Sequence, residues 1–515
     1  MRVHRISVAV RVDSGAHLGS GHLMRCVTLA RELRERGAAV EFVSREQPGH
    51  LIEQIEEAGY PVHRLPARQA TQAEDAGETH AALGGGFDWL VVDHYGFDAG
   101  WERLARPIAQ RLMVIDDLAD RPHEADLLLD QNYLGPGGAD RYASRLPQRS
   151  RRLLGPRYAL LQPVYRQLRR VLPPRDSAVR RLVVFFGAHD ATRSIVSVLQ
   201  ALASPEFSQI AVDALPGGDP STMDAVRSIA RGHSNITIHE RLPALAGLIA
   251  RADLAIGAGG STTWEYACLG LPTVIATIAD NQVEIANALA ADGCALLLGP
   301  AGALSAGMWR SALAQAIGDA ERLTSCGRRA WSLTDGYGTG RVAQAMLGVP
   351  RSAVRVRAVE RSDEQLLLDW ANDPAVRRFS FSKAQIAAAE HHGWFTGKLA
   401  DPGSVILIGE DSGGVPLGQV RFQLEPSRVE ATVNISVEPA VRGTGVGKSL
   451  LQRAITAWRK RAPEITLLAE VVVGNDSSAR LFQGANFEFA TPRRPDSVAF
   501  RLRPGTAVDV QEDEA

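Results

Sequence analysis

The N-terminal stretch Ile6-Ser-Val-Ala-Val-Arg-Val-Asp-Ser-Gly-Ala-His-Leu-Gly-Ser-Gly-His-Leu-Met-Arg25 predicts a strand, a glycine-containing loop and a helix. Its apolar run is short and typical of a buried strand. From about His22 the apolar side chains recur at helical spacing on one face until Gly37, namely Leu23, Cys26, Val27, Ala30 and Leu33. The first unit of the fold is therefore strand, loop, helix.

The same order repeats along the first 150 residues. Further apolar runs, several of them ending in aspartate, are Val40–Ser44, Trp89–Asp93, Leu112–Asp116 and Asp126–Asp130. A Pro- and Arg-rich stretch follows, and a second series then runs through Leu182–Gly187, Ile210–Asp213, Ile236–His239, Leu254–Gly257, Thr273–Ala276 and Ala295–Leu298. We predict two doubly wound Rossmann-like lobes over residues 1–156 and 181–350, joined by a linker over 157–180. The cleft between such lobes favours ligand binding.

The pattern changes at about Arg351. From there the strands Val354–Arg357, Val405–Gly409, Leu417–Leu424 and Ala431–Val437 are expected, the last three with little helix between them. An α+β domain is predicted over 351–505, and the acidic residues 506–515 are predicted to form a solvated tail.

The composition excludes several classes of protein. With 45% hydrophobic and 22% charged residues and a net charge of -1, the chain gives no overall reason to expect nucleic acid or membrane as a partner. No apolar run reaches the roughly 20 residues that span a bilayer. The four cysteines are far apart, which disfavours a zinc module or disulfides and favours a reducing cytoplasm.

The first motif with chemistry is the loop and helix start around His22. A histidine in the first helical turn is kept neutral by the helix N-terminus, and it can then act as a base. Asp13, at the end of the strand, is expected to orient it, and Gly21 and Arg25 are expected to contact the substrate. The alternative is a glycine-rich connection with an incidental histidine.

The second motif is Gly257-Ala-Gly-Gly-Ser-Thr-Thr-Trp-Glu265, in which a strand ends in glycines before a helix. Gly260, Ser261 and Thr262 are expected to present backbone N–H groups and hydroxyls to an anion. Glu265, one turn further on, is suited to the vicinal hydroxyls of a ribose. Asn281 and Gln282 follow the next strand and offer amide groups at the same edge. The alternative is a capped helix with no ligand.

Taken together, these blocks resemble the hydrolase of pseudaminic acid biosynthesis, which is related to the GT-B glycosyltransferases and removes UDP from UDP-2,4-diacetamido-2,4,6-trideoxy-β-L-altropyranose. Further blocks that share the resemblance are Val92–Gly96, Ile115–Arg121, Leu129–Tyr133, Gly155–Leu161 and Asp280–Gln282. The resemblance implies that His22 is the catalytic base and that Asp13, Tyr95 and Asn281 surround the reacting sugar. It also implies attack at the anomeric carbon with inversion, and no metal. The chain departs from the pattern at Ala188 and His189, to which we assign no role.

A third motif, Arg442-Gly-Thr-Gly-Val-Gly447, stands between a strand and a helix and resembles the acetyl-CoA pyrophosphate loop of GNAT-type N-acetyltransferases. The block from Asn475 to Phe487 agrees with that family. The resemblance implies that acetyl-CoA, as co-substrate, is bound by Arg442, Gly443, Thr444, Gly445, Val446, Gly447 and Asn475. Phe482 stands where many relatives carry a general-acid tyrosine, so the acid and base of acetyl transfer stay open. His391 and His392 lie in a block resembling the acetyltransferase of the same pathway, although surface histidines without a catalytic role are the simpler interpretation.

The sequence therefore predicts a bifunctional cytoplasmic enzyme that hydrolyses a UDP-linked amino sugar and acetylates the 4-amino group of its precursor. One alternative is a glycosyltransferase that uses the same cleft. Another is a C-terminal domain that only binds acetyl-CoA or serves as a scaffold. The sugar configuration, the oligomeric state and any channelling between the domains are left open.

Overall fold

The structure is a computed structural model that describes residues 5–15, 18–135, 138–173, 175, 178–187, 193–217, 220–240, 242 and 244–506. The chain divides into two units, Met1–Val342 and Ala343–Ala515. Ala188 and His189 lie outside the described residues, as does the predicted acidic tail from residue 507 onward.

The first sheet of the N-terminal unit has seven strands in the order β3-β2-β1-β4-β5-β6-β7, all of them parallel. The strands are β1 (Ser7–Val12), β2 (Ala39–Arg45), β3 (Val62–Leu65), β4 (Phe87–Asp93), β5 (Ala109–Ile115), β6 (Leu127–Asp130) and β7 (Arg151–Leu154). The helices that alternate with them are α1 (Gly21–Glu35), α2 (Ile52–Glu57), α3 (Gln72–Leu83) and α4 (Ala99–Ala105). The strand order reverses between β1 and β4, which is where a doubly wound sheet opens a crevice for ligands.

The second sheet of this unit has six parallel strands in the order β10-β9-β8-β11-β12-β13. They are β8 (Arg181–Phe185), β9 (Ala211–Ala214), β10 (Ile236–Ile238), β11 (Leu254–Gly257), β12 (Thr273–Thr277) and β13 (Leu296–Pro300). The helices are α5 (Pro163–Val171), α6 (Ser194–Leu202), α7 (Pro220–Arg231), α8 (Ala246–Arg251), α9 (Thr262–Cys268), α10 (Val283–Ala291), α11 (Ala306–Gly318), α12 (Ala320–Trp331) and α13 (Gly338–Leu347), the last of which runs across the division of the chain. Here the order reverses between β8 and β11.

The C-terminal unit contains a mixed sheet in the order β14-β15-β16-β17-β18-β20-β19. Its strands are β14 (Arg355–Ala358), β15 (Ser404–Glu410), β16 (Pro416–Leu424), β17 (Glu430–Val437), β18 (Thr466–Val472), β19 (Glu488–Ala490) and β20 (Ser497–Leu502). Its helices are α14 (Glu364–Asn372), α15 (Pro374–Arg378), α16 (Ala388–Ala400), α17 (Val446–Arg459) and α18 (Asp476–Gly484).

One pair of strands in this sheet separates along its length. β17 and β18 are its parallel neighbours, and their ladder ends at Thr432 and Leu468 although the strands continue to Val437 and Val472. Beyond those residues the backbone of β17 is not paired with β18, which opens a split in the sheet.

The predicted fold class is confirmed: two doubly wound Rossmann-like sheets precede an α+β domain. Two short strands, β3 and β7, carry no clear apolar signal in the sequence, because VHRL and RRLL contain charged or exposed positions. The segment 157–180, predicted as a linker, contains α5, and Tyr165 of that helix is buried in the core of the second lobe.

Candidate functional site

The start of α1 approaches the second lobe closely. A Cβ atom on Gly21, the first residue of α1, would lie 3.8 Å from Oγ of Ser261, which immediately precedes α9. Two helix starts, one from each lobe, thus face each other at the carboxyl edges of their sheets. Their first-turn N–H groups have no helical partners and can bind an anion.

His22, in the first turn of α1, is buried and is held by a carboxylate. Its Nδ1 lies 2.5 Å from Oδ1 of Asp93, the last residue of β4. Arg25 donates from Nε and Nη2 to the same carboxylate, both at 2.6 Å. Burial alone would raise the pKa of Asp93, but the Arg25 and His22 charges lower it well below its usual range. A carboxylate at Nδ1 fixes the tautomer with a proton there, so Nε2 is the basic nitrogen.

Asp13 does not contact His22, and this part of the sequence prediction is corrected. Its carboxylate accepts from Arg11 Nη1 at 2.5 Å and from the Arg45 backbone N–H at 2.8 Å. Its neighbour on the site side is His94, whose Nε2 lies 3.5 Å away. Burial opposes ionisation of Asp13, but Arg11 keeps its pKa below the usual value. Asp93, and not Asp13, is the carboxylate that contacts His22.

His94 is a second imidazole in this site, and it is neutral. Burial, together with the charge of Arg11, lowers its pKa to about 4. The Gly96 N–H donates to its Nδ1 at 3.0 Å, so the ring proton is on Nε2, toward Asp13. The unprotonated nitrogen of His94, Nδ1, therefore already accepts a hydrogen bond. In His22 the unprotonated nitrogen is Nε2, and it is the one available to take a proton.

Tyr95 connects the two lobes. Its ring meets that of His22 edge to face with centroids 4.4 Å apart. Its hydroxyl donates to Oδ2 of Asp117 at 3.0 Å and accepts from Nδ2 of Asn281 at 3.1 Å. Asp117 in turn accepts from Arg25 Nη1 at 2.9 Å. The predicted residues Tyr95, Asn281, Arg25 and His22 are thus joined in one network.

The second-lobe residues lie around the start of α9. Ser261 is exposed and makes no side-chain cap, and Thr262 opens the helix. A Cβ on Gly260 would lie 3.8 Å from Nε2 of Gln282, whose Oε1 accepts from the Ile278 backbone at 3.0 Å. The Nε2 amide group of Gln282 therefore lies beside Gly260, where it can donate to a ligand.

Glu265, one turn into α9, is a half-buried acid. Tyr165 of α5 donates to its Oε2 at 2.6 Å. Burial raises the pKa of Glu265 to about 7, and the Tyr165 hydrogen bond opposes this only in part. Oε2 of Glu265 thus accepts a hydrogen bond from α5, and Oε1 can accept one from a ligand hydroxyl.

In the C-terminal unit, the predicted cofactor loop stands between β17 and α17, next to the split in the sheet. Gly443 and Gly445 have φ of 78° and 87°, a conformation that glycine adopts without strain. Gly445 directly precedes α17, which starts with Val446 and Gly447. The backbone N–H groups of this start are open to an anion.

Two polar side chains of the loop are engaged within the protein. Arg442 donates from Nε to the Val437 carbonyl at 2.9 Å and from Nη1 to Oδ1 of Asp373 at 2.9 Å. The Thr444 hydroxyl donates to the Val441 carbonyl at 2.7 Å. These contacts hold the shape of the loop.

Asn475 and Phe482 have structural contacts. Asn475 caps α18 by accepting from the Ser478 N–H at 3.2 Å. The Phe482 ring is buried among Phe487 and Phe500, with centroids 5.2 and 6.1 Å away. Phe482 has no proton to donate, so it cannot serve as a general acid.

The two histidines of α16 differ. His392 is exposed, and its Nδ1 lies 2.9 Å from Glu364. His391 is buried, and its Nδ1 has no hydrogen-bond partner among the described residues. The expectation of a surface histidine thus holds for His392 and is wrong for His391, because His391 faces Trp394 and Phe395 on the inner side of the helix.

Residues 353–488 match the acetyltransferase (GNAT) domain family. An uncharacterized protein of Methanocaldococcus jannaschii is 20% identical over 498 residues, which cover 94% of this chain and 97% of that protein. The UDP-2,4-diacetamido-2,4,6-trideoxy-β-L-altropyranose hydrolase of Campylobacter jejuni is 23% identical over 291 residues, 56% of this chain and 97% of that enzyme. The crystal structure of MurG from Acinetobacter baumannii covers 66% of this chain and 99% of its own, with 14% identity and a TM-score of 0.48. The domain that follows the two Rossmann-like sheets is therefore one that matches the acetyltransferase (GNAT) family.

Among the residues that the structure describes, no group of three or more His, Cys, Asp or Glu side chains is arranged to hold a metal ion. Within the same residues, no helix is long and apolar enough to cross a bilayer. All four cysteines are buried and unpaired.

Sequence reasoning missed Asp93 and Asp117 as members of the site. Both aspartates were visible in the sequence, one ending a strand and the other just after one. The signal that could have found Asp93 is its place at the carboxyl edge beside β1, since the register pairs Val12 with Asp93.

Proposed function

We propose that the N-terminal unit hydrolyses a UDP-linked diacetamido sugar to UDP and the free sugar. The observation that carries the proposal is the imidazole of His22, in the first turn of α1, whose Nδ1 is held by Asp93. Two neighbours of this imidazole approach the other lobe, because Tyr95 bonds to Asn281 and Gly21 lies close to Ser261. The likeness to the Campylobacter hydrolase, which extends over 97% of that enzyme, supports the choice of substrate.

The proposed reaction begins with a water molecule beside Nε2 of His22. The histidine takes a proton while the water oxygen bonds to the anomeric carbon, and the bond from that carbon to the UDP oxygen breaks. His22 becomes an imidazolium, which the Asp93 carboxylate stabilises at Nδ1. Attack from the side opposite UDP inverts the anomeric configuration.

The leaving UDP gains negative charge on its terminal phosphate. In the proposal, the N–H groups at Gly260, Ser261 and Thr262 stabilise that charge without a proton transfer. Glu265 accepts a hydrogen bond from the ribose, and Gln282 donates its amide N–H to the ligand. Asn281 and Tyr95 contact the sugar from the two lobes.

For the C-terminal unit we propose transfer of an acetyl group from acetyl-CoA to the 4-amino group of the UDP-sugar that precedes the hydrolysis substrate. The amine nitrogen bonds to the thioester carbon, the carbon–sulfur bond breaks, and CoA leaves as the thiolate, which takes up a proton. The start of α17, with Val446 and Gly447, binds the pyrophosphate, and the open part of β17 binds the pantetheine arm. The match over residues 353–488 supports this assignment.

The test uses the full chain and two substrates. The UDP-diacetamido sugar should release UDP in water without any acceptor, and the 4-amino UDP-sugar with acetyl-CoA should release CoA thiol. His22→Ala should lower UDP release by about 10²- to 10⁴-fold and leave thiol release unchanged. The matched control is His63→Ala, because His63 lies on the surface of the same lobe beside Glu41. UDP release that depends on an acceptor would indicate a glycosyltransferase instead.

A further inference from the structure

The face of the acetyltransferase sheet opposite α17 carries an arginine without a protein partner. Val420 and Phe422 of β16 point into the core with α17, where Phe422 stacks on Trp458 with centroids 4.9 Å apart. Because side chains alternate along a strand, Arg421 lies on the opposite face. That face is the one beside α16.

The Arg421 side chain is half-buried, and its guanidinium forms neither a hydrogen bond nor an ion pair with any residue that the structure describes. Its one specific contact is with the ring of Trp394 on α16, 5.1 Å from its centre. Burial lowers the pKa of Arg421 below its usual value, and no carboxylate opposes this effect. A guanidinium has five N–H donors, and those of Arg421 are left for solvent or a ligand.

The surroundings of Arg421 are neutral or positive. On the same side of β16, two residues further along the strand, Gln423 accepts from Lys398 Nζ at 2.5 Å and donates to Asp401 at 2.9 Å. The Asp401 carboxylate is therefore bound to Gln423 and not to Arg421. His391 lies near the same tryptophan, with ring centroids 5.2 Å apart, and burial lowers its pKa. The charge of Arg421 is thus not compensated by the groups that surround it.

Arg421 also lies beside the split in the sheet. It is paired in register with Asn434 of β17, two residues beyond the last β17–β18 pair. Asn434 is exposed, and its Oδ1 accepts from Gln419 Nε2 at 3.1 Å. The donors of Arg421 are therefore next to an open polar surface, the same surface that an acceptor must occupy to reach a thioester bound along β17.

We propose that Arg421 binds a phosphate of the acceptor, with the Trp394 ring packed against the guanidinium, so that the acetyltransferase domain selects an amine that carries a diphosphate. This inference rests on the proposed function, because it assigns the acceptor of the same domain. A guanidinium binds phosphate oxygens through two parallel N–H bonds, and cation–π contact with the ring holds its plane. The ligand supplies the negative charge that the protein does not.

A structural role and a binding role for Arg421 predict opposite effects on stability. Replacing a half-buried cation that has no partner among the described residues with an apolar side chain of similar length removes part of a desolvation cost. Arg421→Met should therefore keep or raise the melting temperature while it weakens acceptor binding. A fall in melting temperature together with unchanged acceptor kinetics would overturn the proposal.

The kinetic test compares Arg421→Met, Arg421→Lys and the control Arg355→Met in the full chain. Arg355 is exposed on the edge strand β14 of the same sheet. For Arg421→Met we expect KM for the 4-amino UDP-sugar to rise at least about tenfold, with KM for acetyl-CoA and kcat within about twofold. Arg421→Lys should recover part of the loss, and Arg355→Met should match the wild type. An unchanged KM for the UDP-sugar in Arg421→Met would overturn the proposal.

A binding measurement tests Arg421 separately from the proposed function. With saturating CoA to block the pyrophosphate loop, titration of the full chain with UDP should show one site fewer in Arg421→Met than in the wild type. Equal stoichiometry in the two proteins would overturn the assignment of Arg421. A different outcome is that the wild type does not acetylate the UDP-sugar, although Arg421→Met still binds one UDP fewer than the wild type. That result would contradict the proposed acceptor reaction but not the assignment of Arg421.

Discussion

Asn281 donates a hydrogen bond of 3.1 Å from Nδ2 to the hydroxyl of Tyr95, across 186 positions of the chain. The Tyr95 hydroxyl in turn donates a hydrogen bond to Asp117, which also accepts from Arg25. Arg25 donates to Asp93, the carboxylate that holds His22. An unbroken set of polar contacts therefore runs from the second lobe to the proposed base in the first.

Tyr95→Phe removes the hydroxyl that joins Asn281 to Asp117. We expect kcat for UDP release to fall by about 10- to 100-fold, and the double substitution with Asn281→Ala to cost little more than the larger single effect, because the two side chains share one bond. Steady-state UDP release measures this. Tyr133→Phe is the control, since the Tyr133 hydroxyl bonds to Asp292, which is not part of this network. Fully additive losses would contradict the coupling.

Asp93→Asn keeps the size of the side chain but removes the charge that stabilises an imidazolium at His22. We expect UDP release to fall by about 10²- to 10⁴-fold, while acetyl transfer is unchanged. Both rates can be followed in the same preparation. Asp120→Asn, at an exposed aspartate paired with Arg121, should have no effect. Activity of Asp93→Asn within threefold of the wild type would exclude the orienting role.

Glu265 should make the stability of the N-terminal unit depend on pH. Burial raises its pKa from the ordinary 4.5 to about 7, so the folded state holds a proton that the unfolded state has released. Stability is therefore expected to fall as pH rises from 4.5 to 7 and to level off above that. Glu265→Gln retains an acceptor for Tyr165 and should show a smaller fall in melting temperature over this range. Glu284→Gln, at an exposed glutamate, is the control, and identical pH profiles for wild type and Glu265→Gln would contradict the shift.

The salt bridge between Arg442 and Asp373 should maintain the conformation of the predicted cofactor loop between β17 and α17. Its atoms are 2.9 Å apart, and both side chains are largely covered. Arg442→Ala and Asp373→Ala are each expected to raise KM for acetyl-CoA several-fold, and the double substitution should be less than additive. Thiol-release kinetics at varied acetyl-CoA measure all three. An effect of Arg442→Ala alone would mean that the arginine binds the cofactor without help from Asp373.

The strand and helix pattern could be predicted because apolar periodicity is local to each element, and β1 and α1 illustrate this. The partner of His22 could not. Asp13 and Asp93 both lie at strand ends, but Asp93 is in register with Val12, and side chains alternate between faces, so Asp13 points away toward Arg11. Which of the two aspartates contacts His22 depends on which strands pair in the sheet. No single stretch of sequence contains that information. The same holds for Glu265, whose partner Tyr165 is 100 positions away.

The bond that breaks is the most direct test of the central proposal. Hydrolysis of the UDP-diacetamido sugar is run in ¹⁸O-labelled water, and the products are analysed by mass spectrometry before the anomeric hydroxyl of the sugar exchanges with solvent. Attack by water activated at His22 on the anomeric carbon predicts label in the free sugar and none in UDP. Label in a phosphate of the nucleotide would show attack at phosphorus and would contradict the proposal.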